Sequence, residues 1–174
     1  MGRVIAIDPG PTESAVVLWD GEKIISSCDM PNENIVEALA EWDEAIPEWD
    51  TERPLDTDYV CAIEQLRGFG VLASDAIFDT CWWSGRFAQA FGMKRTHMIP
   101  RKKAAAHICG TGGISKDQFV REAIIQRFGG KEKAVGSKKS PGILYGISSH
   151  KWAALCIALY YWDVVRTQKQ KEIS

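Results

Sequence analysis

Three side chains in this 174-residue sequence combine metal-ligand chemistry with positions where an element begins or ends. Asp8 closes the apolar run Val4-Ile5-Ala6-Ile7, Glu64 closes Tyr59-Val60-Cys61-Ala62-Ile63, and His150 opens the apolar helical pattern around Trp152. An acid at the end of a buried strand is costly unless something neutralises it. Mg²⁺ or Mn²⁺ would do so. Hard divalent cations take carboxylate oxygens and keep waters, and two such ions about 3.5–4 Å apart activate a water and stabilise the leaving oxygen of a phosphodiester. Each residue also has an ordinary alternative. Asp8 before Pro9-Gly10 suits a turn, Glu64 an exposed strand end, and His150 the first turn of a helix, so the three residues alone leave both readings open.

Rigid strands are needed to hold such ligands, and the pattern supplies them. Residues 4–7 end in the turn formers Asp8-Pro9-Gly10-Pro11 and predict a buried strand. Residues 14–19 and 23–28, joined by Asp20-Gly21-Glu22, predict two more, giving an antiparallel meander at the start. Ile35, Leu39, Trp42 and Ile46 fall at helical spacing before Pro47. Residues 59–63 predict a fourth strand, 72–91 a long apolar helix and 96–99 a fifth strand. A short Ala-rich helix runs from Pro100 to about His107. Ser115-x-x-Gln118 has the form of a capping box ahead of Phe119, Ala123, Ile124 and Phe128. Residues 129–147, rich in Gly, Lys and Ser, predict a mobile basic loop, and a last helix spans about His150 to Arg166. The expected fold class is α/β: one domain over residues 1–174, with a mixed five-stranded sheet, its first three strands antiparallel, and helices on both faces.

A formal net charge of −2 conceals a polarised chain. Residues 20–58 carry thirteen acids against Lys23 and Arg53, a local −11, whereas residues 94–139 carry twelve bases against Asp117, Glu122 and Glu132, a local +9. The basic stretch suits a polyanion; solvated helix faces are the ordinary alternative. Five cysteines, odd in number and with no C-x-x-C pair, read as buried thiols in a reducing compartment rather than a disulfide frame or zinc site. The longest apolar run, Trp152 to Trp162, is too short to span a bilayer, and the N-terminus enters a strand pattern without a signal-peptide n-region. A cytoplasmic protein with no membrane partner is expected. The apolar helix over 72–91, with its Trp82-Trp83 pair, reads as core plus a self-association face.

Four blocks carry a family resemblance: Ile5-Ala6-Ile7-Asp8-Pro9-Gly10; Ala62-Ile63-Glu64-Gln65; Ile99-Pro100-Arg101-Lys102-Lys103 followed by Gly110-Thr111-Gly112-Gly113-Ile114-Ser115-Lys116; and Ser149-His150-Lys151-Trp152-Ala153-Ala154-Leu155. In order and approximate separation they resemble the RuvC family of Holliday-junction resolvases, over about residues 3 to 163. The resemblance implies an RNase H-like fold. It further implies a metal-dependent, structure-selective endodeoxyribonuclease that acts as a homodimer with Mg²⁺ or Mn²⁺, two ions per site, and makes symmetric nicks in four-way or related branched DNA. By that resemblance Asp8 would bridge both ions, Glu64 would hold one and help position the attacking water, and His150 would be a ligand or the general base. Arg101, Lys102, Lys103 and Lys116 would contact phosphates, and Arg67 and Phe69 would belong to a loop whose aromatic stacks on unpaired bases, the alternative for Phe69 being a loop anchor packed on the domain; Lys151, next to His150, suits either the scissile phosphate or a solvated position.

One position departs from the family pattern. Many members carry a further acid one helical turn after the His150 position, where Ala153 stands here. Asp163, about 20 Å beyond His150 along a helix, is a poor substitute. The His150 and Ala153 combination suits a phage-type member, acting in the host cytoplasm, better than a housekeeping bacterial one. Two other expectations follow: a junction-binding protein that has lost catalysis, and an ATPase domain of the sugar-kinase or chaperone type. The last is disfavoured by the short chain and by the lack of a second phosphate loop.

Overall fold

Alternation along the first strand decides which side of the sheet each residue serves. The computed structural model describes residues 2–44, 59–67, 74–110 and 116–173. In β1 (Arg3–Asp8), Val4 and Ala6 enter one core while Ile5 and Ile7 enter another on the opposite face, as the period-two geometry of a strand requires. β2 (Glu13–Trp19) and β3 (Ile24–Pro31) continue the antiparallel meander, and β4 (Tyr59–Gln65) and β5 (Thr96–Pro100) join parallel on the other side. The sheet order is β3-β2-β1-β4-β5. This is the expected mixed five-stranded sheet.

One face is covered by α1 (Asn32–Glu44) and α2 (Asp75–Phe91), whose Ile35, Leu39, Trp83, Phe87 and Phe91 pack on Ile5, Ile7 and Ile63. The other is covered by α3 (Arg101–Cys109), α4 (Asp117–Arg127), a short α5 (Lys131–Ala134) and α6 (Lys151–Tyr160). A π-helical turn at Tyr161–Val165 carries α6 into α7 (Arg166–Ile173). The charge segregation of the sequence has a spatial counterpart here. Glu33, Glu37 and Glu41 are exposed on α1, on one side of the sheet, and Lys102, Lys103 and Lys116 are exposed at the starts of α3 and α4, on the other.

Several expectations change. Residues 129–147 are not an irregular loop: they hold α5 and a two-stranded hairpin, β6 (Gly136–Ser137) with β7 (Ser140–Pro141), and they bury Ala134 and Leu144 completely. The few apolar residues among the Gly, Lys and Ser anchor the segment to the core. Not all cysteines are buried: Cys61 and Cys156 are, Cys28 and Cys109 are half-buried, Cys81 is exposed, and all five are free. On α2, Trp83 is buried while Trp82 and Phe78 are 58% and 64% exposed, and Arg86 lies over both indoles. Ile46, Pro47 and the capping residue Ser115 lie outside the described residues. Among the described residues no helix is long and apolar enough to cross a membrane.

Candidate active site

Asp8 and Glu64 meet because alternation and parallel register agree. Ala6 and Ala62 face the side covered by α3, α4 and α6, so Asp8 and Glu64, two residues further on, face it too. Ile7 lies opposite Ile63, which makes the two acids the next residues on adjacent strands. Both are buried, at 8% and 4% exposure. The turn after Asp8 is fixed by a closed polar circuit. Gly10 N donates to Ser14 Oγ at 3.1 Å, Ser14 Oγ donates to Asn32 Oδ1 at 2.6 Å, and Asn32 Nδ2 donates to Gly10 O at 3.0 Å. A Cβ on Gly10 would stand 2.3 Å from the Glu13 carbonyl oxygen, so this close approach admits only glycine.

His150 arrives from the far end of the chain. Ser149, at φ 47°, is the one described non-glycine residue with positive φ, and it turns the backbone into the N-cap position held by His150. Such a conformation costs about 1 kcal/mol or more and is retained where surrounding structure enforces it. The His150 ring places Nδ1 3.2 Å from Asp8 Oδ2 while the side chain stays 77% exposed. With Nδ1 on the carboxylate, Nε2 is the nitrogen turned to other partners.

Arg101 departs from expectation. It opens α3 directly after β5, and instead of pointing at solvent its Nη1 donates to Glu64 Oε2 at 3.0 Å and Oε1 at 3.3 Å, while Nη2 donates to Asp117 Oδ1. Asp117, the first residue of α4, is therefore a member of the site that the sequence did not reveal. An acid in a first helical turn is ordinary, so only the tertiary contact distinguishes it. Burial raises the Asp8 pKa above its ordinary 3.8 despite the opposing charges of Arg101 and His150. Burial, then the charge of Asp8, push Glu64 up to about 7 although Arg101 pulls the other way. Burial disfavours the Arg101 charge, but Glu64 and Asp117 outweigh it and hold its pKa above the ordinary value.

Two openings converge on Glu64, Arg101, Asp117 and His150. One, of about 300 Å³, runs between α3, α4 and α6 and is walled by Ala104, Ala105, Trp152, Ala153 and Cys156. The other, of about 660 Å³, lies toward the β1–β2 turn and includes Asp8, Pro11, Asp29 and Ile77. Ala153 thus faces the cleft, and the wall there is apolar where the resemblance led to an acid. Among the described residues, no three His, Cys, Asp or Glu side chains form a ready-made metal cluster. The donor chemistry nevertheless fits a hard cation: two buried carboxylates lie side by side with their oxygens toward the openings, and a guanidinium already stands against one of them as a cation.

The other predicted contacts separate into two groups. Lys102, Lys103 and Lys116 are exposed beside Arg101 and Asp117, and Arg67 is exposed with Nε donating to Gln65 Oε1 at 3.2 Å. Lys151 is paired within the protein: its Nζ is 3.1 Å from Asp29 Oδ2, a residue lining the opening that holds Asp8, and its side chain is only 15% exposed, so it ties α6 to β3. Phe69 lies outside the described residues. Asp163, on the π-helical turn, belongs to a separate cluster with Arg127 and His107.

No family model and no curated protein sequence matches this chain. Solved structures do match. RuvC of Thermus thermophilus superposes with a TM-score of 0.61 at 16% identity, covering 95% of this chain and 96% of that one. T. thermophilus RuvC in complex with a Holliday junction substrate superposes with a TM-score of 0.54 at 17% identity, covering 96% of each.

Proposed function

The fold of this chain is the RNase H-like α/β fold of those RuvC structures, and on that premise we propose that the protein is a divalent-metal-dependent endonuclease of four-way or related branched DNA. The observation that carries the reading is the pair Asp8 and Glu64, buried side by side at the ends of adjacent parallel strands with both pKa values raised. The T. thermophilus structure with a Holliday junction substrate gives the substrate class to test first.

Asp8 and Glu64 would hold Mg²⁺ or Mn²⁺, with His150 beside Asp8. When bound, such cations activate water and neutralise charge developing on phosphodiester oxygens. Asp8 accepts from His150 Nδ1, which orients the ring and leaves Nε2 to take the proton of the attacking water. Lys102, Lys103 and Lys116 flank the cleft and suit phosphate oxygens, giving salt-dependent affinity without sequence preference. A two-fold junction presents two equivalent phosphates, which a C2 dimer matches. The exposed Phe78 and Trp82 of α2 supply an apolar face for that pairing.

The test is incubation of purified protein with a labelled synthetic junction and with linear duplex of the same sequence, in Mg²⁺ and then Mn²⁺. Paired nicks in the junction arms, absent from the duplex and from Asp8→Asn, are expected. The same assay separates this reading from a second one, a junction-binding protein without catalysis. Tight junction binding with no nicks in either metal would establish that alternative.

A further inference from the structure

Arg101 does two things at once that a phosphate-binding arginine at a cleft mouth need not do. Its guanidinium covers both oxygens of Glu64, whose side chain is only 5% exposed, and it reaches Asp117, whose side chain is 80% exposed. Its own side chain is 43% exposed, so it is not locked in the interior. The cation thus sits between the buried acid and the open cleft, with Lys102 and Lys103 next to it in the chain and Lys116 next to Asp117.

We infer that Arg101 is a positioning residue: a built-in counter-cation that blocks Glu64 from a divalent ion until a DNA phosphate draws the guanidinium away. The inference rests on the nuclease reading above and deepens it. An arginine cannot shed its proton in the working pH range, so a divalent ion approaching Glu64 meets a fixed positive charge rather than a titratable one. A DNA phosphate offers Nη1 an anionic oxygen acceptor equal to the carboxylate it leaves. Transfer of Arg101 from Glu64 to phosphate keeps the arginine paired and leaves Glu64 open. Asp117 holds the second arm of the fork near the cleft while the first changes partner. Metal affinity and junction affinity are then linked, each raising the other by the same factor. Free protein binds metal weakly, and the site becomes competent where DNA is already seated.

The experiment measures Mn²⁺ uptake by full-length protein from the loss of the free-ion electron paramagnetic resonance signal. Wild type, Arg101→Gln, Arg101→Lys and Asp8→Asn are titrated alone and with a four-way junction, the uptake of DNA by itself being subtracted. Without DNA, Arg101→Gln binds Mn²⁺ about fivefold or more tightly than wild type, and Arg101→Lys, which keeps the charge but loses the fork, falls between them. The junction raises Mn²⁺ affinity for wild type and not for Arg101→Gln. A purely structural role for Arg101 would weaken uptake instead of strengthening it. Should Arg101→Gln fail to fold, Arg101→Lys carries the test alone. Uptake by the Arg101 variants equal to or weaker than wild type overturns the inference. The two readings fail differently: uptake insensitive to Asp8→Asn removes the proposed catalytic site, whereas uptake that needs Asp8 but ignores Arg101 removes only the role given to Arg101.

Discussion

Two clusters on the same face of the sheet draw on the same residue types, acid, histidine and arginine, and reach opposite electrostatic balances. At the ends of β1 and β4, Asp8, Glu64 and Asp117 share one arginine, with His150 against Asp8, and the two buried acids sit above their ordinary pKa values. On the π-helical turn, Asp163 alone receives both arms of Arg127, and His107 Nε2 lies 2.8 Å from the same carboxylate. Burial works against its charge, but those hydrogen bonds outweigh it and hold the Asp163 pKa below the ordinary value. The second cluster is matched and pins α3 and α4 to the turn after α6. The first holds two buried acids whose burial outweighs the pull of Arg101, an imbalance that marks it as the candidate functional site.

The comparison predicts opposite outcomes for substitutions in the two clusters. Asp8→Asn and Glu64→Gln each reduce junction nicking about a thousandfold or more, measured as initial rates in Mn²⁺, while junction affinity measured without divalent metal stays within a few fold. His150→Ala, losing only the proton acceptor, reduces the same rate about a hundredfold. Asp163→Asn leaves nicking within about twofold but lowers stability by about 1–2 kcal/mol in urea melts, as loss of a charge-assisted pair requires.

The pH dependence of stability separates the clusters more finely. Glu64 holds its proton more tightly folded, at about 7, than at its ordinary 4.5. Its contribution is therefore full below about pH 4.5 and lost as pH rises through 7. Metal-free wild type should lose stability relative to Glu64→Gln across that window. Asp163, with a lowered pKa, contributes above its ordinary 3.8 and loses that contribution as pH falls through its lower folded value. The deficit of Asp163→Asn should shrink as pH falls below 3.8.

Asp8, Glu64 and His150 stand out in the sequence as candidates because each interrupts a pattern, an acid ending an apolar strand or a ligand type opening an apolar helix, but those positions equally suit a turn, a strand end and a helix start, and only the four-block resemblance joins them. The meander was legible from its turn residues, and the parallel strands from the helical spacing between them. Arg101 and Asp117 were not, since the partner of a charged residue 37 or 16 positions away depends on how strands and helices pack and leaves no periodic trace. Residues 129–147 differ from expectation because Gly, Lys and Ser dominate the composition, while the anchoring is done by Ala134 and Leu144. Asp163 illustrates the converse: too far along the helix from His150 to join that site, it pairs with Arg127 and His107 instead.

The most direct test of the account is the initial rate of four-way junction nicking in Mn²⁺ by wild type, Asp8→Asn and Asp163→Asn, assayed side by side at equal junction occupancy. Wild-type-like nicking by Asp163→Asn and none detectable from Asp8→Asn are expected. Nicking by Asp8→Asn at the wild-type rate, or equal loss in both variants, would contradict the account.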